Sequence, residues 1–232
     1  MTSSYLFYGA LGFLPGLAWL FFFLQEDTKR AEPKGLILST FLFGGLVTFL
    51  VLPFQILGKS MLLAGGIASG NPFHLFILAG IEELFKWSVV YAWISRRKEF
   101  DEPIDAMVYM VIAALGFVSV ENVATVLRAS NGVSLLTLRF IGATLLHCLA
   151  SGIVGYYWAR GIIACRRAGY LAFGLVAATL FHTIFNYLMV IWGPGMRVTS
   201  LLVLLAFVIL RDFEELKRPG VAAGGGKCER PF

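Results

Sequence analysis

Apolar residues run along this chain in stretches about as long as a bilayer is thick, with polar residues gathered between them. Seven stretches stand out: Leu6–Leu24, Gly35–Leu57, Pro72–Ser95, Pro103–Leu127, Ser134–Ala159, Gly169–Trp192 and Met196–Leu210, the last being the shortest. A helix rises about 1.5 Å per residue, so about 20 apolar residues cross the hydrocarbon core. Leu62–Ala68 is too short to span and rich in glycine, and reads as loop or re-entrant backbone. Pro15, between Gly12 and Gly16, predicts a kink in the first span. The pattern predicts an all-α, polytopic membrane helix bundle of about seven transmembrane helices. It forms one transmembrane domain over residues 1–217, with the candidate chemistry in 72–192 and a flexible cytoplasmic tail over 218–232.

Composition agrees. The chain of 232 residues is 58% hydrophobic and only 14% charged, with a mean hydropathy of +0.79. A soluble domain is about 25% charged, so a soluble or disordered chain is excluded. The basic residues then orient the bundle. Lys29, Arg30, Lys34, Arg96, Arg97, Lys98, Arg160, Arg166, Arg167 and the five of the C-terminal region (Arg211, Lys217, Arg218, Lys227, Arg230) fall on one side. Only Lys59, Arg128 and Arg197 fall on the other, and Lys86 and Arg139 lie within spans. Positive charge marks the cytoplasmic side, which places the N-terminus outside and the C-terminus in the cytoplasm. The net charge of +5 therefore reflects topology and contact with anionic lipid, not nucleic-acid binding. No Lys or Arg precedes the first run and no A-x-A-like site follows it, so it reads as a retained span of a multi-pass cell-membrane protein rather than a cleaved signal.

Against that background, ionisable residues inside spans call for an explanation, because each costs about 2.5–3.5 kcal/mol at the bilayer centre by insertion scales. The third span carries Glu82, Glu83 and Lys86, which share one helix face at about 100° per residue. Lys86 can neutralise one carboxylate and leave the other as an acid or base. The fourth span ends in Glu121-Asn122, the fifth carries His147, and the sixth carries His182 and Asn186 one turn apart. Helix rise puts Glu, Glu, His and His from four helices into one layer about 10 Å thick, in the outer half of the membrane.

Other polar residues read more plainly. Arg139 snorkels to the outer interface, at a depth that would also let it meet Glu121. Asp105 suits a helix N-terminus as a cap. His74 lies at the outer end of its span and reads as solvated. Cys148 follows His147 directly, and adjacent helix positions do not face each other, so a Cys/His nucleophilic pair is not expected. Ser151 lies one turn from His147 with nothing else to make it a nucleophile. Hydrolysis within a membrane needs a water, a base and donors for the oxyanion, and the layer supplies these types. The alternative is a zinc site on Glu82, Glu83, His147 and His182, although the H-E-x-x-H signal is absent.

These residues also carry a family resemblance. Glu82-Glu83-x-x-Lys86, then Glu102-Pro103-Ile104-Asp105 leading through Tyr109 to Gly116-Phe117-x-x-x-Glu121-Asn122, then His147, then His182-x-x-x-Asn186, resemble the PrsW family of membrane proteases. That family belongs to a wider clan of glutamic intramembrane proteases with the CAAX prenyl endopeptidases. The resemblance covers about residues 72–192. It implies peptide-bond hydrolysis of a single-span membrane protein, such as site-1 cleavage of an anti-sigma factor, without a covalent acyl intermediate or cofactor. Ala106, Met110 and Ala114 stand where glycine is typical of the pattern, a difference that bears on close helix packing. On this reading Glu82 or Glu83 activates water while Lys86 holds the partner carboxylate. Glu121 with Asn122 supplies a second acid/base or orienting group, His147 and His182 stabilise the oxyanion or bind the water, and Asn186 orients His182. The rivals are a proton-coupled transporter, which buried Glu and His also build, a CAAX-type processing peptidase, and a non-catalytic scaffold with the same groove.

Overall fold

Backbone groups deprived of water must bond within their own segment, and each apolar run does become helix. A computed structural model describes residues 2–25, 32–129 and 132–218. Among the described residues there are eight helices and no strand: α1 (Thr2–Leu24), α2 (Lys34–Ala64), α3 (Pro72–Ile94), α4 (Pro103–Arg128), α5 (Gly132–Ile141), α6 (Ala143–Ile163), α7 (Arg167–Trp192) and α8 (Met196–Leu216). Most of the expected tail, from 219 onward, lies outside the described residues.

Five segments are long and apolar enough to cross a membrane: Phe7–Leu24, Lys34–Ala64, Pro103–Arg128, Val133–Ile163 and Arg167–Trp192. α3 is kept from that set by the charges of Glu82, Glu83 and Lys86 in its middle, and α8 by Arg197, Arg211 and Asp212 near its ends.

Three details depart from the sequence pattern. α2 continues past Leu57 to Ala64 and takes up the start of the stretch expected as loop. Lys59, Met61, Leu62, Leu63 and Ala64 all favour helix, and the turn comes only at Gly65 and Gly66, the latter at φ +80°. The fifth run is two helices, parted at Gly142. A Cβ there would sit 2.8 Å from the Leu138 carbonyl oxygen, so the break needs glycine. His74 is buried rather than solvated, because the start of α3 lies against the far end of α7, where Gly70 approaches Val190.

α4 is the centre of the bundle, with α1, α2 and α6 packed around it. Every residue from Pro103 to Ser119 is buried. Where α4 itself carries Ala106, Met110 and Ala114, the close approach comes from glycine on its neighbours. A Cβ on Gly44 of α2 would fall on the Ala113 carbonyl, and one on Gly155 of α6 would lie 2.5 Å from the Met107 Cα. The start of α4 is capped as expected, with Asp105 accepting from the Asp101 and Glu102 backbone N–H groups at 2.9 and 2.8 Å. The outer surface is apolar along α2, with Leu38, Leu42, Leu46, Phe49 and Leu50 all exposed, as a face turned to lipid requires.

Candidate active site

Three positions in α3 start the site. Glu82 and Glu83 flank the line of Lys86 one turn on, and all three side chains are buried. The Lys86 ammonium, with no exposed surface, donates to Glu83 Oε1 at 2.8 Å. Glu82 Oε2 is 3.9 Å away. The lysine thus chooses between the two carboxylates. The ammonium also lies 4.6 Å from the centre of the Phe117 ring of α4, a favourable cation–π placement.

α4, α5 and α6 bring the next group. Lys86 Nζ is 2.6 Å from His147 Nδ1. An ammonium only donates, so Nδ1 accepts and the ring proton sits on Nε2. Nε2 is 3.1 Å from Glu121 Oε2 and donates to it. Arg139, in the last turn of α5, donates from Nε to Asn122 Oδ1 at 2.6 Å and from Nη2 to Glu121 Oε2 at 3.4 Å. Asn122 donates in turn to Thr144 of α6 at 3.1 Å. Because α5 is a separate helix, its last turn is free to point Arg139 back over the end of α4.

α7 completes the set. His182 Nδ1 is 3.1 Å from Glu83 Oε1 and donates to it, which leaves the Nε2 lone pair facing Glu82 Oε2 at 3.9 Å. The two histidine rings meet edge-on with centres 5.0 Å apart. Ser151, one turn below His147, donates to Glu83 Oε2 at 3.0 Å.

The two adjacent carboxylates therefore have opposite surroundings. Glu83 is saturated by Lys86, His182 and Ser151. Glu82 takes one bond on Oε1, from Gln55 of α2 at 2.6 Å. Its Oε2 is buried with no hydrogen-bond partner, equidistant at 3.9 Å from Lys86 Nζ, His147 Nδ1 and His182 Nε2. Three carboxylates (Glu82, Glu83, Glu121) face two fixed cations (Lys86, Arg139), one negative charge in excess, and Glu82 is the carboxylate without a cation in direct contact. A buried polar atom left unpaired costs about 1–3 kcal/mol, so Oε2 is the atom most in need of a proton, a water or a cation.

For a cation, ligand atoms of Glu82, His147 and His182 lie within 4.8 Å of one another. Around one zinc at about 2.0–2.2 Å such atoms stand roughly 3.4 Å apart, so the donors match in kind and nearly in spacing. The set has three members, not the four expected. Glu83 is committed to Lys86, His182 and Ser151. His147 Nδ1 is shared with the Lys86 ammonium, which would have to let go first.

Glu82, Glu83, Lys86, Glu121, Asn122, His147 and His182 thus converge. Asn186 stands apart. It lines a groove of about 910 Å³ between α5, α7 and α8, makes no side-chain hydrogen bond among the described residues, and leaves the orientation of His182 to Glu83. Cys148 is buried and free. Sequence reasoning passed over Gln55, whose only signal is an amide within an apolar helix, and gave Arg139 and Ser151 secondary places.

Residues 32–211 match the family described as the PrsW family intramembrane metalloprotease. A protein named Protease PrsW from Geobacillus kaustophilus is 32% identical over 211 residues, covering 89% of this chain and 90% of the relative. Proteins of the same name from Bacillus subtilis and Clostridioides difficile are 27% identical over 182 residues and 24% identical over 212. The first of these alignments covers 77% of this chain and 80% of the relative, and the second 86% and 84%. No solved structure matches.

Proposed function

Because the chain belongs to the PrsW family of intramembrane proteases, and is by that membership a multi-pass membrane peptidase, we propose that it cuts a membrane-anchored protein with a water activated by Glu82. One observation carries this reading: Glu82 Oε2 is buried and unpartnered, and faces the lone pair of His182 Nε2. A water held by both acceptors presents its oxygen lone pair to a substrate carbonyl. Glu82 takes the water's proton as the oxygen–carbon bond forms. Lys86, beside the same carboxylate, offsets the negative charge that grows on the carbonyl oxygen. Glu82 then passes the proton to the amide nitrogen as the carbon–nitrogen bond breaks, and returns to its starting form. Glu83 holds Lys86 and His182 in place, and Glu121 with Arg139 fixes His147.

A metal-assisted route is the second reading, favoured by the close set of donors. Glu82, His147 and His182 would hold the ion, and it would supply a bound water that ionises near neutral pH. Lys86 would then have to turn away from His147 toward Glu83 alone.

The alternation of basic residues supports an outside N-terminus, with α3 and α8 crossing as well, the charges of α3 held inside the bundle and those of α8 near its ends. The site then lies about 10–20 Å below the outer surface. A single-span protein such as an anti-sigma factor would be cut at or just inside the extracytoplasmic end of its span, where unwinding frees the fewest backbone groups in lipid. The test is purified protein in detergent with candidate single-span substrates, the products being sequenced by mass spectrometry. Cleavage that survives strong chelators and is lost in Glu82→Gln is expected. Loss on chelation, restored by zinc, would favour the metal route, and wild-type cleavage by Glu82→Gln would refute both.

A further inference from the structure

The groove between α5, α7 and α8 has apolar walls, among them Leu138, Phe185, Met189 and Val203; of its four polar residues, Thr199 and Ser200 donate to backbone carbonyls at the start of α8, and Arg139 and Asn186 remain. Its volume of about 910 Å³ is within the range of built ligand sites. Arg139 belongs to the groove and to the catalytic layer at once. Its Nε and Nη2 are turned inward to Asn122 and Glu121, while Nη1 has no protein partner among the described residues. Asn186 follows His182 by one turn and keeps its amide unbonded. The groove thus meets the catalytic layer at Arg139, and Arg139 and Asn186 bring hydrogen-bonding groups with spare capacity to it.

We infer that this groove is the docking site for the substrate, and that its occupant is an unwound, uncharged apolar segment whose main-chain carbonyls are held by Arg139 Nη1 and the Asn186 amide. This rests on the protease reading above. The chemistry selects the occupant. Apolar walls take apolar side chains. Spare donors suit backbone carbonyls, which must find partners once a segment leaves helical form in lipid. Arg139, the one charged residue of the lining, is already paired with Glu121, so an acidic side chain would lose its hydration against apolar walls without gaining an unpaired cation. The break at Gly142 and the turn at Pro194 and Gly195 bound the groove at two corners.

The test separates docking from cutting. A photo-crosslinking residue is placed at Leu138 or Val203 in the groove, or at Leu46 on the lipid face of α2, in the Glu82→Gln protein in vesicles. The probe is a synthetic single-span peptide of Leu and Ala with Gly-Pro near its outer end. Groove positions should capture the peptide at least about tenfold more than Leu46, and an Asp in place of a neutral residue near the Gly-Pro should reduce capture. Equal capture from Leu46 and the groove, or capture of lipid alone, overturns the inference. Turnover of the same peptide by otherwise wild-type protein gives the second arm. Val203→Trp should raise KM about tenfold with kcat little changed, whereas Arg139→Gln, which also frees Glu121, should raise KM and lower kcat together, and Arg139→Lys should restore part of the loss. Cleavage with an unchanged KM in Val203→Trp would sink docking while the protease reading stands. Groove capture without any cleavage by wild-type protein would sink the protease reading instead.

Discussion

Replacing Glu82 by Gln keeps the side chain's shape and its acceptor for Gln55, so the fold should tolerate the change while the base is lost. Activity is expected to drop by a factor of about 100 or more, with a near wild-type melting temperature in detergent. Glu83→Gln should behave differently. It removes the partner of a fully buried ammonium, and breaking such a pair costs about 3–5 kcal/mol, so this variant should lose both activity and thermal stability. Equal melting temperatures for the two variants would contradict the division of roles. At this scale the sequence was informative because charge inside an apolar span is rare, and Glu82, Glu83, Lys86, Glu121, His147 and His182 all announced themselves that way. It was silent where chemistry depended on side-chain direction. Which glutamate Lys86 pairs with turns on a difference of about 1 Å (2.8 against 3.9 Å). Gln55 carries no charge, and Arg139, near a span end, passes for an interfacial arginine.

At the level of elements, the break at Gly142 is the feature with a function. The break lets α5 take its own direction, and from its last turn Arg139 reaches Asn122 and Glu121 of α4. Gly142→Ala favours continuous helix by about 1 kcal/mol and places a Cβ 2.8 Å from the Leu138 carbonyl oxygen. It is expected to cut turnover about five- to tenfold while the bundle stays folded, as judged by its melting temperature. Unchanged turnover would show that α5 does not set Arg139. The break was hidden in the sequence because glycine is common in transmembrane helices and hydropathy does not register a turn between two apolar helices. The end of α2 was misplaced for a related reason. At 31 residues α2 is longer than a bilayer needs, so span length does not mark its end at Ala64.

For the molecule as a whole, membrane character was legible from composition and helical class from the length of the apolar runs, since about 20 residues suit a spanning helix and a barrel strand needs only about 9–11. The alternation of basic residues makes a further prediction. Reporter fusions in the Arg96–Lys98 and Arg160–Arg167 connections should give cytoplasmic signals, and an extracytoplasmic signal from either would overturn the seven-span arrangement.

The burial of Lys86 and its two glutamates also bears on how the protein is made. Three charges at about 2.5–3.5 kcal/mol each make α3 a poor candidate to enter the membrane alone, and the groups that meet them on α4, α6 and α7 (Phe117, His147, Ser151 and His182) are synthesised after it. Its stable insertion is therefore expected to wait on later helices, and His182, the last of the group, is made about 100 residues after Glu83 (positions 83 and 182). A nascent or truncated chain ending before α7 should thus be proteolytically silent, with α3 accessible to aqueous thiol reagents from a cysteine placed at Leu84. The helix that bears the glutamates would in this way serve as a checkpoint, since the enzyme could not be armed in the cell membrane before it was complete.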